Sequence, residues 1–131
     1  MKKILSVLLV VLSFSALTQN IGLQTISYSE VNRGTEEVLN IRKLSSGFII
    51  KPKENKIVCT HSNGHFLLTI VDTKSTTVEN EDYQTMYVCT DPQGTKVVLV
   101  TYAKPGQDIY SVVVFEIGSE ICTDIVVKQI F

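Results

Sequence analysis

The feature that most constrains this fold is a hairpin sequence at residues 83–103, YQTMYVCTDPQGTKVVLVTYA. Pro92 presets φ for the second position of a type I turn, Asp91 can cap that turn, and Gly94 can adopt a positive φ without steric cost. A type I turn followed by a glycine bulge closes a three-residue hairpin loop. The sequence therefore predicts two antiparallel strands in which Asp91 lies opposite Thr95.

This register also predicts which side chains share a face of the hairpin. The expected cross-strand pairs are Cys89 with Val97 and Tyr87 with Leu99 on one face, and Val88 with Val98 and Met86 with Val100 on the other. Both faces are apolar, whereas a half-exposed hairpin would alternate apolar and polar residues. We therefore expect this hairpin to be covered on both sides or to belong to a closed sheet.

Short strands joined by turns continue on both sides of this hairpin. The predicted strands span residues 22–31, 47–52, 56–62, 65–72, 83–90, 95–103, 109–117 and 121–131. The pair Asn63-Gly64 predicts a second hairpin, with Ser62 opposite His65. The last six strands follow one another through short turns, which predicts an antiparallel meander.

Residues 35–46 allow two interpretations. Thr35 can serve as a helix N-cap, two glutamates follow it, and Arg42 and Lys43 lie near the other end, as the helix dipole favours. The valine, leucine and isoleucine residues of the same segment also fit a strand. The sequence thus predicts a mainly β fold, an antiparallel meander forming a small barrel or sandwich, either with or without one short helix near residues 35–46.

Residues 1–18 have the pattern of a secretory signal peptide. Lys2 and Lys3 form a positive start, residues 4–14 are apolar apart from serines, and small residues follow. No later segment is long and apolar enough to predict a membrane-spanning helix. We therefore expect a single antiparallel β domain at residues 19–131, exported to the periplasm or the extracellular space, with no membrane span after signal removal.

Composition and charge argue against a nucleic-acid partner. The chain has 131 residues, with 12 Lys+Arg against 13 Asp+Glu and a formal net charge of −1. Nucleic-acid-binding domains usually carry a basic excess, and none is present. The hydrophobic content of 44% is ordinary for a globular domain that buries a core.

The three cysteines, Cys59, Cys89 and Cys122, leave their redox state open. Export would permit a disulfide, but these residues lie on predicted strands that are not neighbours in a meander. Barrel closure could bring Cys59 beside Cys122, and a sandwich could bring two of them into contact across its layers. We predict three buried thiols that act as small hydrophobic side chains.

No pattern in the sequence predicts a catalytic residue, a cofactor or a metal site. Cys59 and His61 share a strand face, but His65 falls on the opposite face and no further ligand motif accompanies them. The acidic residues Glu79 and Glu81 have no calcium-loop spacing. Phosphate-binding glycine loops and nucleophile elbows are also absent from the sequence. We therefore expect a protein that is not an enzyme.

Residues 56–129 resemble small exported β proteins of bacteria. The resemblance rests on an Asn-Gly hairpin, a polar loop and the run Tyr87-Val88-Cys89-Thr90-Asp91-Pro92-Gln93-Gly94. It covers about half the chain and implies a β fold without a known activity. The Tyr-x-Cys strand is also similar to periplasmic lysozyme inhibitors of the membrane-bound or C-type kind. The chain lacks their Ser-Gly-x-x-Tyr segment, so no functional residue is carried over.

The hypothesis that fits these observations is an exported binding or protein-interaction domain. Its partner would be a protein or a small ligand, neither of which the sequence identifies. The candidate interaction surface consists of Val58, Leu67, Val71, Glu79, Glu81 and Asp82. The alternative is an inhibitor of a secreted or periplasmic hydrolase such as lysozyme, in which a polar loop at residues 73–82 meets a basic enzyme.

Overall fold

The structure is a computed structural model that describes residues 19–32, 34–35, 38–42, 46–61, 64–76 and 82–131. The strands within these residues are β1 Ile21–Asn32, β2 Val38–Arg42, β3 Gly47–Lys51, β4 Lys56–His61, β5 Gly64–Thr76, β6 Tyr83–Thr90, β7 Lys96–Ala103, β8 Ile109–Glu116 and β9 Ile121–Gln129. A 3₁₀ turn, Pro52–Glu54, joins β3 to β4. The described part of the chain contains no helix with the length and apolar character needed to cross a membrane.

All strands belong to one antiparallel sheet that closes on itself. Strands β3 to β9 follow one another in sequence order, β3 pairs with one edge of β1, and β9 pairs with the other edge. Eight strands thus form a closed barrel. Strand β2 pairs with β1 beyond the end of β3, along the same edge. The prediction of a mainly β meander is confirmed, and closure makes it a barrel rather than a sandwich.

The hairpin of β6 and β7 has the predicted register. Cys89 pairs with Val97 and Tyr87 with Leu99. In the turn, the backbone amide of Asp91 donates to the carbonyl of Thr95 at 2.9 Å, and that of Gly94 donates to Asp91 at 3.0 Å. Gly94 has a φ of 86°, which only glycine adopts without strain. Turn chemistry alone therefore sets this register.

The inner face of this hairpin is buried and its outer face is covered only in part, so of the two predicted options the closed sheet is the one that the structure shows. Tyr87, Cys89 and Leu99 belong to the buried core inside the barrel. Val98 and Val100 lie on the outer face, yet they are only 4% and 6% exposed. Barrel closure covers the inner set, whereas on the outer face Met86, the pairing partner of Val100, is 38% exposed.

The helical option near residues 35–46 is wrong for the part of this segment that the structure describes. Val38–Arg42 is strand β2, in which Ile41 pairs with Ser29 and Asn40 with Glu30. The reason is tertiary, because β1 extends past β3 and offers a row of unpaired backbone groups. Pairing with that edge satisfies the backbone of β2 and suits its β-branched residues.

The hairpin of β4 and β5 differs from the predicted register by two residues. Thr60 pairs with His65 and His61 with Gly64, whereas the Asn-Gly pattern had placed Ser62 opposite His65. Gly64 has a φ of 133° and begins β5 instead of sitting within the turn. Because side chains alternate with a period of two, this shift leaves the predicted inner face unchanged.

The predicted loop at residues 73–82 is shorter than the sequence indicated. Strand β5 continues to Thr76 after a bulge between Ile70 and Asp72, and Thr73 pairs with Tyr87. The first residues of the neighbouring strand β6 supply backbone partners, and these outweigh the polar composition of residues 73–76. Residues 77–81 lie outside the described part of the chain.

Candidate functional site

A cavity lies inside one end of the barrel. Strands β4, β6 and β8 end there and β5, β7 and β9 begin there, and we call this the open end. The cavity has a volume of about 540 Å³. Its walls include Tyr28, Phe48, Cys59, Phe66, Val114 and Ile125.

The other half of the barrel is filled by its own side chains. Leu23, Ile50, Ile57 and Val112 are at most 1% exposed and pack against one another and their neighbours in the core. Towards the open end the inward positions of β1 and β9 carry threonines, Thr25 and Thr123, and both residues line the cavity. Eight strands enclose a space that side chains can just fill, so smaller residues at one end leave room there.

A bulge in β1 brings two inward side chains to the cavity that simple alternation would separate. Thr25 pairs with Val127 and Ser27 with Val126, so Ile26 is the extra residue of the bulge. Ile26 is 54% exposed. Because of this insertion, Thr25 and Tyr28 both line the cavity although three positions separate them.

Thr25 places a buried hydroxyl in the cavity wall. The residue is 6% exposed, and its Oγ1 has no hydrogen-bond partner among the residues that the structure describes. Its backbone amide donates to the carbonyl of Ser46 at 2.8 Å, which fixes its position on β1. Burying a hydroxyl without a partner costs about 1–3 kcal/mol. With less than 1 Å² of accessible surface, this hydroxyl is enclosed within the wall and is not exposed to the cavity.

Two carboxylates lie at the rim of the cavity. Asp91 Oδ1 accepts hydrogen bonds from the backbone amides of Gln93 at 2.9 Å and Thr95 at 2.8 Å, which holds the carboxylate at the β6–β7 turn. Glu116 is exposed at the end of β8. They are the charged residues among the described residues that line the cavity. The rim therefore carries negative charge at neutral pH.

The two thiols inside the barrel, those of Cys59 and Cys89, have low nucleophilic reactivity. Burial and, to a smaller extent, the neighbouring Cys89 raise the pKa of Cys59 to about 12. Burial also raises the pKa of Cys89 to about 11, and that thiol lies 3.6 Å from the carbonyl oxygen of Tyr87. The thiolate is the nucleophilic form of cysteine, so both groups are unreactive at neutral pH.

All three cysteines are thiols and all are buried, which confirms the prediction made for them. Cys59 lies on β4 and Cys122 on β9, and strands β3 and β1 separate them around the barrel. Ile121 and Thr123 line the cavity, so Cys122 between them points to the outer face. Barrel closure therefore does not bring Cys59 and Cys122 together.

The apolar part of the candidate interaction surface lies on the outside of the barrel. Val58 pairs with Ile49 on one side and Leu67 on the other, which places the three in a row across β3, β4 and β5. Leu67 is 43% exposed and Val71, next to the bulge in β5, is 60% exposed. These residues are separate from the cavity lining.

The acidic part of that surface is not assembled in the described residues. Glu79 and Glu81 lie outside them. Asp82 lies at the end of the barrel opposite the cavity and accepts a hydrogen bond from the hydroxyl of Tyr110. This bond raises the pKa of Tyr110, because deprotonation of the phenol would remove the hydrogen that it donates to the carboxylate. Asp82 is therefore tied to β8.

The described residues contain no group of three or more histidine, cysteine, aspartate or glutamate side chains that could hold a metal ion. Comparisons with protein-family models, with curated proteins and with solved structures gave no match to this chain. The argument for function therefore rests on the geometry of the cavity.

Sequence reasoning did not find this cavity. Its walls come from nearly every strand, and Thr25 and Tyr28 reach it only because of a bulge that no turn residue announces. From the sequence, Ser46 was placed at the end of the segment that allowed a helix and Gly47 at the start of a strand, and neither residue indicated a cavity.

Proposed function

We propose that this chain is an exported, non-enzymatic binding protein that takes a small, mainly apolar ligand into the open end of its barrel. The observation that carries this proposal is the cavity of about 540 Å³ inside a barrel whose other half is filled. Export rests on the pattern of residues 1–18 and is part of the same proposal.

The size of the cavity fits a small molecule. Ligand pockets in proteins are typically about 300–1,000 Å³, and eight-stranded barrels are wide enough to hold one small ligand. The cavity is also open at one end, between the β6–β7 and β8–β9 turns, because Asp91 and Ser119 both line it. A ligand can therefore enter without separating the strands.

The chemistry of the walls favours an apolar ligand body. Aromatic rings from β1, β3 and β5, namely Tyr28, Phe48 and Phe66, share the cavity with aliphatic side chains. Transfer of apolar surface from water to such walls is favourable by about 25 cal/mol per Å². The thiol of Cys59 adds a further apolar contact. Because this thiol stays protonated at neutral pH, the cavity suits binding rather than covalent chemistry.

Two matched variants test this proposal. Val114 lines the cavity, whereas Val113, the preceding residue on the same strand, faces outward opposite Asp124. Val114→Trp should fill part of the cavity, and Val113→Trp should leave it open. N-phenyl-1-naphthylamine, an uncharged apolar dye that fluoresces in apolar sites, serves as the probe.

We expect saturable fluorescence enhancement with the wild type and with Val113→Trp, and at least about a tenfold loss of affinity with Val114→Trp. Circular dichroism of each variant checks that the barrel is folded. Equal affinities in both tryptophan variants, or no saturable binding by the folded wild type, would contradict a ligand site in the cavity.

A further inference from the structure

We propose that the ligand of this cavity is an organic cation, an apolar molecule that carries one ammonium group, and that Glu116 at the mouth of the barrel attracts this group. The inference deepens the proposed function and rests on it. The cavity defines the site, and the groups at its mouth define the charge of the ligand. The apolar body lies among the cavity walls, and the ammonium group lies at the mouth.

Glu116 faces the inside of the barrel at its open end. It pairs with Val97, which belongs to the buried core. Residues that lie opposite each other in an antiparallel pair share a face of the sheet, so Glu116 is on the inner face as well. It is the last residue of β8, it is exposed, and it lines the cavity. A ligand in the cavity can therefore reach this carboxylate from the mouth.

Asp91 adds a second carboxylate to the mouth. It follows Cys89 of the core by two positions, and alternation places it on the same inner face. Its backbone amide still pairs with Thr95, so the strand geometry continues to this residue. The amides of Gln93 and Thr95 donate to Oδ1, which fixes the carboxylate at the turn. The side of the mouth formed by β6, β7 and β8 thus carries two acidic groups.

The described residues leave these two carboxylates without a cationic partner. The ion pairs in this part of the chain involve other carboxylates, and the described lining contains no lysine, arginine or histidine. Lys96 precedes the inward-facing Val97 and therefore lies on the outer face. Just beyond the lining, Glu30 and Arg42 occupy inner-face positions on β1 and β2, one of each sign. They leave the net charge at the mouth negative.

Aromatic rings form another side of the mouth. Phe48 and Phe66 lie near the starts of β3 and β5, and both strands begin at the open end. Both residues pair with Cys59, so the three form one row on the inner face and line the cavity. The face of an aromatic ring attracts a cation. An ammonium group at the mouth is therefore favoured by the rings and by the carboxylates, whereas a neutral group gains neither attraction.

The openness of the mouth makes a charged ligand group affordable there. Glu116 is exposed, so an ammonium group beside it keeps part of its hydration. A charge placed deeper, among side chains such as Leu99 and Ile125, would lose its hydration without gaining a partner. This difference sets the orientation of the ligand, with the apolar end inside and the ammonium group outside.

Two ligands of the same shape test this inference. At pH 7, 2-naphthalenemethylamine carries an ammonium group where 2-naphthalenemethanol carries a hydroxyl, and both can displace N-phenyl-1-naphthylamine. The ratio of their dissociation constants at low salt isolates the contribution of the positive charge. It is measured for the wild type, for Glu116→Gln and for the control Glu120→Gln. The control removes the same charge from an exposed residue in the next turn, outside the described lining.

We expect the wild type to bind the amine about 3- to 10-fold more tightly than the alcohol at low salt. Glu116→Gln should lower this preference by about two- to fivefold, and Glu120→Gln should lower it by less than about 1.5-fold. The affinity for the alcohol should stay within about twofold in all three proteins. Salt at about 0.5 M should reduce the preference of the wild type, because the mouth is exposed to solvent.

The outcomes separate the two proposals. If the folded wild type binds the amine and the alcohol equally well, the ligand is not selected for positive charge, and the inference is wrong while the binding function stands. Equal losses of preference in Glu116→Gln and Glu120→Gln would also overturn it, because net charge and not the mouth would then act. If no apolar ligand binds the folded wild type, both proposals fail.

Discussion

Gly47 lies so close to Leu23 that a Cβ at position 47 would be 2.7 Å from the carbonyl oxygen of Leu23. This contact lies at the seam between β1 and β3, where the start of β3 pairs with β1. Backbone atoms cannot move aside as a side chain can, so glycine at this position permits the close pairing of the two strands.

Gly47→Ala should therefore destabilise the barrel by about 1–3 kcal/mol through overpacking. Gly22→Ala is the matched control, because a Cβ there would meet the ring of Phe131 at 2.5 Å, and that ring is 58% exposed and can move. Urea unfolding should show a smaller loss for Gly22→Ala than for Gly47→Ala. The reverse order would contradict this account of the seam.

The carboxylate of Asp91, which caps the β6–β7 turn, should contribute measurably to the free energy of unfolding. Asp91→Ala removes the two hydrogen bonds that the backbone amides of Gln93 and Thr95 donate to Oδ1. We expect a loss of about 1–2 kcal/mol in the free energy of unfolding. Gln93→Ala, in the same turn and exposed, should change it by less than about 0.5 kcal/mol. Equal effects would show that the side chain of Asp91 does not hold the turn.

The buried hydroxyl of Thr25 should reduce the stability of the barrel. Thr25→Val removes a buried hydroxyl that has no partner among the described residues, and valine also suits a strand. We expect the variant to be more stable than the wild type by about 1 kcal/mol in chemical unfolding. Its neighbour Ser27, which lies beyond the bulge and is half-buried, is the control, and Ser27→Val should give a smaller gain. A loss of stability in Thr25→Val would mean that its hydroxyl is satisfied within the fold.

The free energy of unfolding should decrease at alkaline pH because Cys59 and Cys89 are buried as thiols. The pKa of Cys89 rises from 9.0 to about 11 and that of Cys59 from 9.0 to about 12 on folding, mainly through burial. The folded protein keeps protons that the unfolded chain loses, so this stabilisation is complete below pH 9 and is lost as the pH rises through 11 to 12. Unfolding free energies measured with a reductant should therefore fall between pH 8 and pH 10.5.

Cys89→Ala should make that fall less steep, whatever its effect on stability at pH 8. Thiol labelling gives an independent check, since the buried thiols should react slowly at pH 8 in the native protein and rapidly in urea. Rapid labelling of the native protein, or a flat pH dependence, would contradict burial of these groups.

The rim carboxylates should discriminate against anionic ligands. 2-Naphthoate should bind more weakly than 2-naphthalenemethanol, and Glu116→Gln should improve naphthoate binding by about two- to fivefold at low salt. Added salt should reduce this gain, because Glu116 is exposed. Glu120→Gln, at the next turn but outside the cavity lining, is the control. A gain of the same size in both variants would mean that net charge, and not the rim, controls ligand choice.

The parts of the fold that depend on local chemistry were predictable from the sequence. The turn at residues 91–94 requires a positive φ that Gly94 supplies, and the register of β6 and β7 follows from this turn. Alternating and doubly apolar strands were enough to predict an antiparallel meander with buried cysteines. The Asn63-Gly64 pair was less reliable, because Gly64 fits the first position of a strand as well as the second position of a turn.

Parts that depend on distant strands were not predictable. Residues 38–42 have residues suited to a helix or a strand, and only the free edge of β1 decides for a strand. The same holds for residues 73–76, which pair with β6 despite their polar composition. The candidate interaction surface combined apolar residues on the outer face of a predicted hairpin with acidic residues of a predicted loop, whereas the cavity lies on the inner face and includes none of these residues.

By itself, the sequence determined a β meander centred on one turn, because turn geometry and side-chain alternation act over a few residues. Only the tertiary structure decided that β9 pairs with β1 and closes a barrel, since this contact joins residues about a hundred positions apart. Closure also decided which inward residues fill the barrel and which leave space. The hydroxyl of Thr25 is buried without a hydrogen-bond partner among the described residues only because the bulge in β1 and the closed barrel wall together enclose it.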